Sequence, residues 1–313
     1  MLKKNVLVTG GAGFIGSHLC EFLISKNYNV FCIDNFITGE KKNISHLQQI
    51  SSFKLHEFDI TKEFEINTKI DSIYHLASPA SPKFFINNPV KTLITNALGS
   101  LNVINFAIKN NSTLLVASTS EIYGNPKEHP QNETYFGNVN VIGPRSSYDE
   151  GKRFMESLTY AHSKKLKIRI ARIFNTYGPR MKKDDGRVIP NFINQSLDNN
   201  NHTVYGNGLQ TRSFCYVDDT VRGIYKLMNT DYCNPINIGN NHEITILELS
   251  KKIQKLLKIK KSIDFLPLPE DDPSKRKPNI NLAKKIIDWS PEIDLEIGLL
   301  KTINYFRGIK NNG

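Results

Sequence analysis

Asn5-Val-Leu-Val-Thr-Gly-Gly-Ala-Gly-Phe-Ile-Gly-Ser17 decides the fold. Asn5–Thr9 is an apolar run of strand length, and Gly10, Gly13 and Gly16 follow it to open a helical pattern over Phe14–Lys26. Glycines at this spacing permit a tight turn and close backbone approach, while the helix N-terminus faces an anion. Tyr28–Asp34 reads as the next strand, so the chain starts with a βαβ unit. Asp34 ends that strand, roughly twenty residues past the loop, where a carboxylate accepts from a ribose 2′-hydroxyl and repels a 2′-phosphate. The pattern therefore points to NAD rather than NADP.

Further apolar runs at Lys54–Phe58, Ser72–Leu76, Leu114–Ala117 and Ile168–Ile173 alternate with helical patterns, notably Pro89–Lys109 and Ser147–Lys164. Alternation of this kind implies an α/β fold, a Rossmann-type doubly wound parallel sheet with its ligand at the carboxyl ends of the strands. After about Asn175 the pattern is less regular, with Gly, Pro and Asn punctuating short segments up to the helical Ile246–Leu257. We expect a dinucleotide domain over 1–174 and a smaller substrate-binding lobe over 175–313, with the chain able to cross back to the first.

The formal charge of +11 raises nucleic acid as a partner. The lysines are spread over many helices without an aromatic-interleaved stripe, so an acidic small-molecule substrate is the better reading. No apolar run approaches the roughly 20 residues that span a bilayer, which makes a soluble cytoplasmic protein the default expectation. The four cysteines, Cys20, Cys32, Cys215 and Cys233, lack CxxC spacing, and no metal site is expected. His75, following a strand, reads as structural.

Tyr148 and Lys152 stand at i and i+4, so they share a helix face. An ammonium near a phenol favours phenolate and is expected to lower the tyrosine pKa toward working pH. Ala117-Ser-Thr-Ser-Glu-Ile-Tyr-Gly124 ends a strand with three hydroxyl residues placed to donate to a substrate oxygen.

In this order, the glycine loop, the Ser/Thr segment and Tyr-x-x-x-Lys closely resemble the extended short-chain dehydrogenase/reductase family. That resemblance implies a Rossmann domain with a nucleotide-sugar lobe, and a catalytic triad of Thr119, Tyr148 and Lys152. Several longer segments look like the UDP-glucuronate decarboxylases among them. These are His75-Leu-Ala-Ser-Pro-Ala-Ser-Pro82, Gly143-Pro-Arg145, Ala171-Arg-Ile-Phe-Asn-Thr-Tyr-Gly-Pro-Arg-Met181, Gln210-Thr-Arg-Ser-Phe214 and Asp271-Asp-Pro-Ser-Lys-Arg-Lys-Pro278. The similarity covers nearly the whole chain.

It implies UDP-glucuronate as substrate, NAD as a tightly kept cofactor, and a homodimer formed through the helices Pro89–Lys109 and Ser147–Lys164. Gly10, Gly13, Phe14, Ile15, Gly16, Asp34, Asn35, Asp59, Ile60 and Leu76, with Tyr148 and Lys152, are the expected cofactor set, Asp59 as an adenine contact. Ser120, Glu121 and Arg276 would handle the reacting carboxyl group, the guanidinium offering a fork suited to carboxylate. Pro82, Asn175, Arg187, Tyr205, Gln210 and Arg212 would hold the sugar nucleotide together with Arg276.

The chain departs from the family in carrying Phe85 where tyrosine is common, Pro190 for a common serine and Asn279 for the usual aspartate. None of these removes a catalytic group. A 4,6-dehydratase would carry Asp-Glu after the threonine, whereas Ser120-Glu121 follows Thr119 here. A 4-epimerase lacks the arginine and glutamate pair, and a dead NAD sensor usually loses Tyr or Lys. An oxidative decarboxylase would stop at the 4-keto pentose and release NADH, and the residues exclude it less firmly.

Overall fold

The computed structural model of the chain describes residues 3–312 apart from 269, 272 and 274. β1 (Asn5–Thr9) is buried on both faces, as its unbroken apolar run requires of a central parallel strand. Val6 and Val8 pack in one layer with Leu19 and Leu23 of α1 (Phe14–Ser25). Leu7 points to the opposite layer, with Val103 and Ile104. Helix α1 stops because Asn27 takes the left-handed conformation, φ 64°, one residue beyond its Lys26 cap.

β2 (Asn29–Asp34), β3 (Phe53–Glu57), β4 (Ser72–His75), β5 (Thr113–Thr119) and β6 (Ile168–Ile173) join β1 in a seven-stranded sheet. The seventh strand is Pro235–Ile238, and the order runs Pro235–Ile238, β6, β5, β4, β1, β2, β3, parallel throughout. The strand order reverses between β1 and β4, so the crevice at their carboxyl ends is the expected ligand position for a doubly wound sheet.

Pro235–Ile238 comes from beyond residue 175 and so returns the chain to the first sheet. It is short, starts with proline at a sheet edge, and holds Asn237 in its interior, which hides its strand pattern. Asn237 is fully buried because Tyr123 Oη donates to its Oδ1 (2.8 Å) and its amide donates to the Gln131 and Asn279 carbonyls.

The segment Pro89–Lys109 is not one regular helix as expected. α2 (Pro82–Asn87) and α3 (Pro89–Ile94) lead into a π-helical turn at Thr95–Gly99 before α4 (Ser100–Asn110). Gly99 packs against Ile60 so closely that a Cβ would lie 2.8 Å from its Cδ1. α5 (Ser146–Ala161) lies beside α3 and the π turn, with Gly151 against Asn96. Arg172 on β6 fastens α5 from below: its guanidinium bonds Glu156 in bidentate fashion, both side chains being nearly buried, and also Tyr123 Oη. This anchors the helix that carries Tyr148 and Lys152.

The remaining elements build short ribbons at the open end of the sheet. Thr211–Ser213 lies between Glu243–Thr245, antiparallel, and Lys275–Arg276, parallel, with Arg276 in register with Arg212. No helix among the described residues is long and apolar enough to cross a membrane.

Candidate active site

The glycine loop is built by close packing. Gly10 has φ 72° and sits where a Cβ would meet the Ala77 backbone at 2.7 Å. A Cβ on Gly16 would lie 2.1 Å from the Gly10 carbonyl oxygen. Gly13 caps α1 and no side chain satisfies the first turn, so its amides remain able to hold an anion. Asp34 is buried; its carboxylate accepts from the Ala12 and Phe36 amides at 2.9 and 2.8 Å. Burial pushes its pKa up, and those amides pull it back. Gly39 faces the same carboxylate, where a Cβ would approach both oxygens to 2.8 Å, so only glycine leaves room there. The loop, the free amides and the accessible side of Asp34 fit a dinucleotide.

A cleft of about 1010 Å³ runs from this loop to the ribbon carrying Arg212 and Arg276. Gly10, Gly13, Phe14, Ile15 and Gly16 line it, and so do Asp34, Asn35, Ile60 and Leu76. At the far side stand Pro82, Asn175, Arg187, Tyr205, Gln210, Arg212 and Arg276, with Thr119, Ser120, Glu121, Tyr148 and Lys152 between the two groups. Asp59 stands apart from the wall: its carboxylate is bonded to Lys91 (2.8 Å) and to Thr61. Those partners outweigh burial and hold its pKa low. Asp272 and Ser274 of the Asp271–Pro278 segment lie outside the described residues.

Thr119 ends β5 and caps the turn Ser120–Tyr123, its Oγ1 accepting from the Glu121 amide at 3.3 Å. Tyr148 lies over this point, hydrogen-bonded to Thr119 and stacked on Phe85 with ring centroids 5.0 Å apart. Lys152 is buried, donates to the Ala117 carbonyl at 2.7 Å, and has its Nζ 5.9 Å from the Tyr148 ring centroid. Burial brings Lys152 down to about 7, against the Glu156 charge.

The expected lowering of the Tyr148 pKa is not found. Burial and then the Glu121 charge push the phenol up to about 12, against the Thr119 hydrogen bond and the Arg187 charge. Lysine spends its ammonium on a carbonyl rather than on the phenol. His75 is a satisfied core residue, bonded to Thr9 Oγ1 (2.7 Å) and Ser100 Oγ (3.0 Å), with burial lowering it to about 3.

Glu121 is the electrostatic centre. Arg276 grips its carboxylate with both terminal nitrogens, the Nη2 to Oε2 distance being 2.7 Å. Arg145 donates to Oε2 at 2.7 Å. Burial alone would raise Glu121; Arg145, then Arg276 and Arg212, overcome it and hold the pKa at about 2. Arg187 is paired with Asp185 through two bonds. Arg145, Arg187, Arg212 and Arg276 thus face two carboxylates, leaving a cationic surround beside a phenol and three hydroxyls. Such a site orients a carboxylate or a diphosphate and takes a proton from an alcohol.

Arg145 and Asp149 were not singled out as site residues in the sequence. Arg145 also lies over the Phe85 ring, 5.5 Å from its centroid, so Phe85 is sandwiched between it and Tyr148. The Gly143-Pro-Arg145 segment and the i, i+4 relation of Arg145 to Asp149 were the available signals. Asn279 is wholly engaged in local bonds, to Gln131, Asn132 and the Asn281 amide, so its departure from the family pattern does not reach the cleft.

The profile of GDP-mannose 4,6 dehydratase matches residues 7–302. UDP-glucuronic acid decarboxylase 1 of Danio rerio is 49% identical over 306 residues, 97% of this chain and 73% of that protein. UDP-glucuronic acid decarboxylase 6 of Arabidopsis thaliana is 49% identical over 300 residues, 95% of this chain and 87% of that protein. Among solved structures, the UDP-glucuronic acid 4-epimerase from Bacillus cereus in complex with UDP-glucuronic acid and NAD superposes with a TM-score of 0.87. It is 29% identical, covering 97% of this chain and 99% of that one.

Gly16→Ala places a methyl 2.1 Å from a backbone oxygen that cannot rotate away. It is expected to cost about 2 kcal/mol of stability and to weaken binding of NAD in a calorimetric titration. Unchanged melting and unchanged affinity would contradict the loop packing.

Proposed function

The chain belongs to the family of the UDP-glucuronic acid decarboxylases, within the extended short-chain dehydrogenases/reductases, and we propose that it converts UDP-glucuronate to UDP-xylose with NAD retained throughout. The carrying observation is the grip of Arg276 and Arg145 on Glu121, immediately beside Thr119 and Tyr148. Gly10–Gly16, Asp34 and Gly39 would hold the dinucleotide. When bound, NAD accepts the C4 hydride, returns it at the end, and brings a positive ring that favours phenolate at Tyr148.

Tyr148 takes the proton of the C4 hydroxyl, with Thr119 and Ser120 donating to the same oxygen. The substrate becomes a β-keto acid, and loss of CO2 leaves an enolate that these hydroxyls stabilise. Arg276 and Arg145 orient the departing carboxylate. Glu121 already occupies both guanidinium groups, so a second anion arriving there is repelled, and departure of CO2 relieves that repulsion. C5 is then protonated, and Tyr148 gives its proton back to the C4 oxygen as the ketone is reduced.

Arg187, Arg212, Asn175, Tyr205 and Gln210, which line the far wall, would take the diphosphate and nucleoside. Residues 175–313 form the substrate lobe in this reading, apart from the stretch around Pro235–Ile238 that rejoins the first sheet. Asp59 would contribute to the adenine end through the placement of Ile60, since its own carboxylate is committed to Lys91.

Val90, Leu93, Leu98 and Phe154 are exposed on α3, the π turn and α5. We assign this face to a homodimer. Val90→Asp combined with Phe154→Asp should halve the mass in sedimentation equilibrium, and a variant that keeps the wild-type mass would count against the assignment. Burial of the free thiols Cys20, Cys32 and Cys215 fits a reducing compartment such as the cytoplasm, which fractionation of cells would test.

Purified protein incubated with UDP-glucuronate without added reductant should release CO2 and form UDP-xylose with no net NADH. Tyr148→Phe should slow this at least about a hundredfold. UDP-4-keto-pentose with stoichiometric NADH would favour oxidative decarboxylation instead, and a 4-epimer with its carboxylate intact would overturn the reading.

A further inference from the structure

Two groups of the decarboxylation proposed above, on which this inference rests, share a neighbour that does no chemistry. Phe85 comes from α2 and is 1% exposed, yet it stands in the wall of the cleft. Tyr148 stacks on it, with ring centroids 5.0 Å apart and planes within 8° of parallel. The Arg145 guanidinium lies over the same ring, its Cζ 5.5 Å from the centroid. The phenol that takes the C4 proton and an arginine that faces the carboxylate thus rest on one flat side chain.

The polar partners of these two groups fix their ends. Thr119 bonds the Tyr148 hydroxyl, and Glu121 Oε2 takes an Arg145 nitrogen at 2.7 Å. A phenol can turn about its own axis without moving its oxygen, and the direction in which that oxygen accepts a proton then swings away. A guanidinium on a long stem can likewise tilt about a hydrogen bond and carry its fork off the carboxylate. Contact with an aromatic ring opposes both motions, through offset stacking on the tyrosine side and cation–π attraction on the arginine side. An aliphatic side chain would fill the same volume and set neither plane.

Phe85 is itself anchored on both sides of its backbone. Its amide donates to the Ser81 carbonyl at 3.0 Å, and its carbonyl accepts from Ser147 Oγ, on the first turn of α5, at 3.3 Å. Arg145 and Tyr148 belong to that same turn, since the Tyr148 amide donates to the Arg145 carbonyl at 3.0 Å. Ser81 Oγ in turn donates to the carbonyl of Asp185, the partner of Arg187. α2 is therefore tied both to the helix that carries Tyr148 and to the loop that carries Arg187.

We propose that Phe85 is a positioning residue for both halves of the reaction. Its ring sets the plane of the Tyr148 phenol for C4 oxidation and holds the Arg145 guanidinium for the carboxylate that leaves. The tyrosine common at this position in the family keeps such a ring, so the departure at Phe85 removes a hydroxyl and leaves the stacking surface.

Phe85→Leu keeps an apolar side chain and loses the flat face, whereas Phe85→Tyr keeps both. In single turnovers, the rise of reduced-nicotinamide absorbance reports C4 oxidation, and its fall reports the steps after CO2 loss. Both should slow about tenfold in Phe85→Leu, and Phe85→Tyr should recover most of that loss. The affinity for UDP alone, read by calorimetry, should stay within about twofold, since the far wall holds the nucleotide. Rates of Phe85→Leu within about twofold of wild type overturn the proposal, and so does a Phe85→Tyr protein as slow as Phe85→Leu. Loss of UDP affinity in step with the rates also overturns it, because that marks a merely structural residue.

The arginine side is read at equilibrium, on a Tyr148→Phe background in which turnover is slow. Adding Phe85→Leu there should weaken UDP-glucuronate about fivefold more than it weakens UDP; equal effects on the two ligands overturn the assignment. Wild-type protein that releases no CO2 from UDP-glucuronate removes the decarboxylase reading. A decarboxylating wild type whose rates Phe85→Leu matches removes this proposal alone, so the two failures are distinguishable.

Discussion

The carboxylate of Glu121 holds the site together. It leaves the end of β5 on a short turn and meets Arg276, which comes from a ribbon strand more than a hundred residues later, and Arg145, which precedes α5. These bonds draw three separate parts of the chain to one point at the mouth of the sheet. With all three side chains mostly buried, loss of any partner would strand charge in a low dielectric. The same bonds fix the electrostatics, since they keep Glu121 ionised while its charge helps to raise both Tyr148 and Asp149.

Beneath that point the sheet does what a parallel α/β sheet does: it delivers a glycine loop and a strand-end carboxylate to one side of a crevice, and a hydroxyl-rich strand end to the other. The Arg172–Glu156 pair under α5 holds the helix so that Tyr148 stacks on Phe85 and Lys152 reaches the Ala117 carbonyl. Cofactor loop, proton-transfer pair and arginine cluster then line one continuous cleft. A dinucleotide and a sugar nucleotide can meet in it end to end.

Much of this was legible in the residues, because local rules and global fold agree there. β1 and β6 fall on the expected ranges, since a fully buried parallel strand writes itself as an unbroken apolar run. The glycine loop was equally plain, because backbone approach at Gly10 and Gly16 admits no side chain. Where tertiary context decides, the pattern was silent. Pro235–Ile238 hides its place behind a proline and a buried asparagine, and the π turn at Thr95–Gly99 depends on contact with Ile60. Spacing put Lys152 beside Tyr148, but only the packing shows that its ammonium bonds a carbonyl while burial raises the phenol. Arg145 ends the Gly143-Pro-Arg145 segment and Asp149 stands inside Tyr148–Lys152, but their place at the site comes from a carboxylate that sequence distance conceals.

The central claim is that one site removes a hydride from C4, discards the carboxyl group, protonates C5 and returns the same hydride. The most direct measurement is the isotopic pattern of the product formed from unlabelled UDP-glucuronate in deuterated water. UDP-xylose with a single deuterium at C5 and protium retained at C4 is the result this account requires. Deuterium at C4, or a product that keeps its carboxylate, would contradict it.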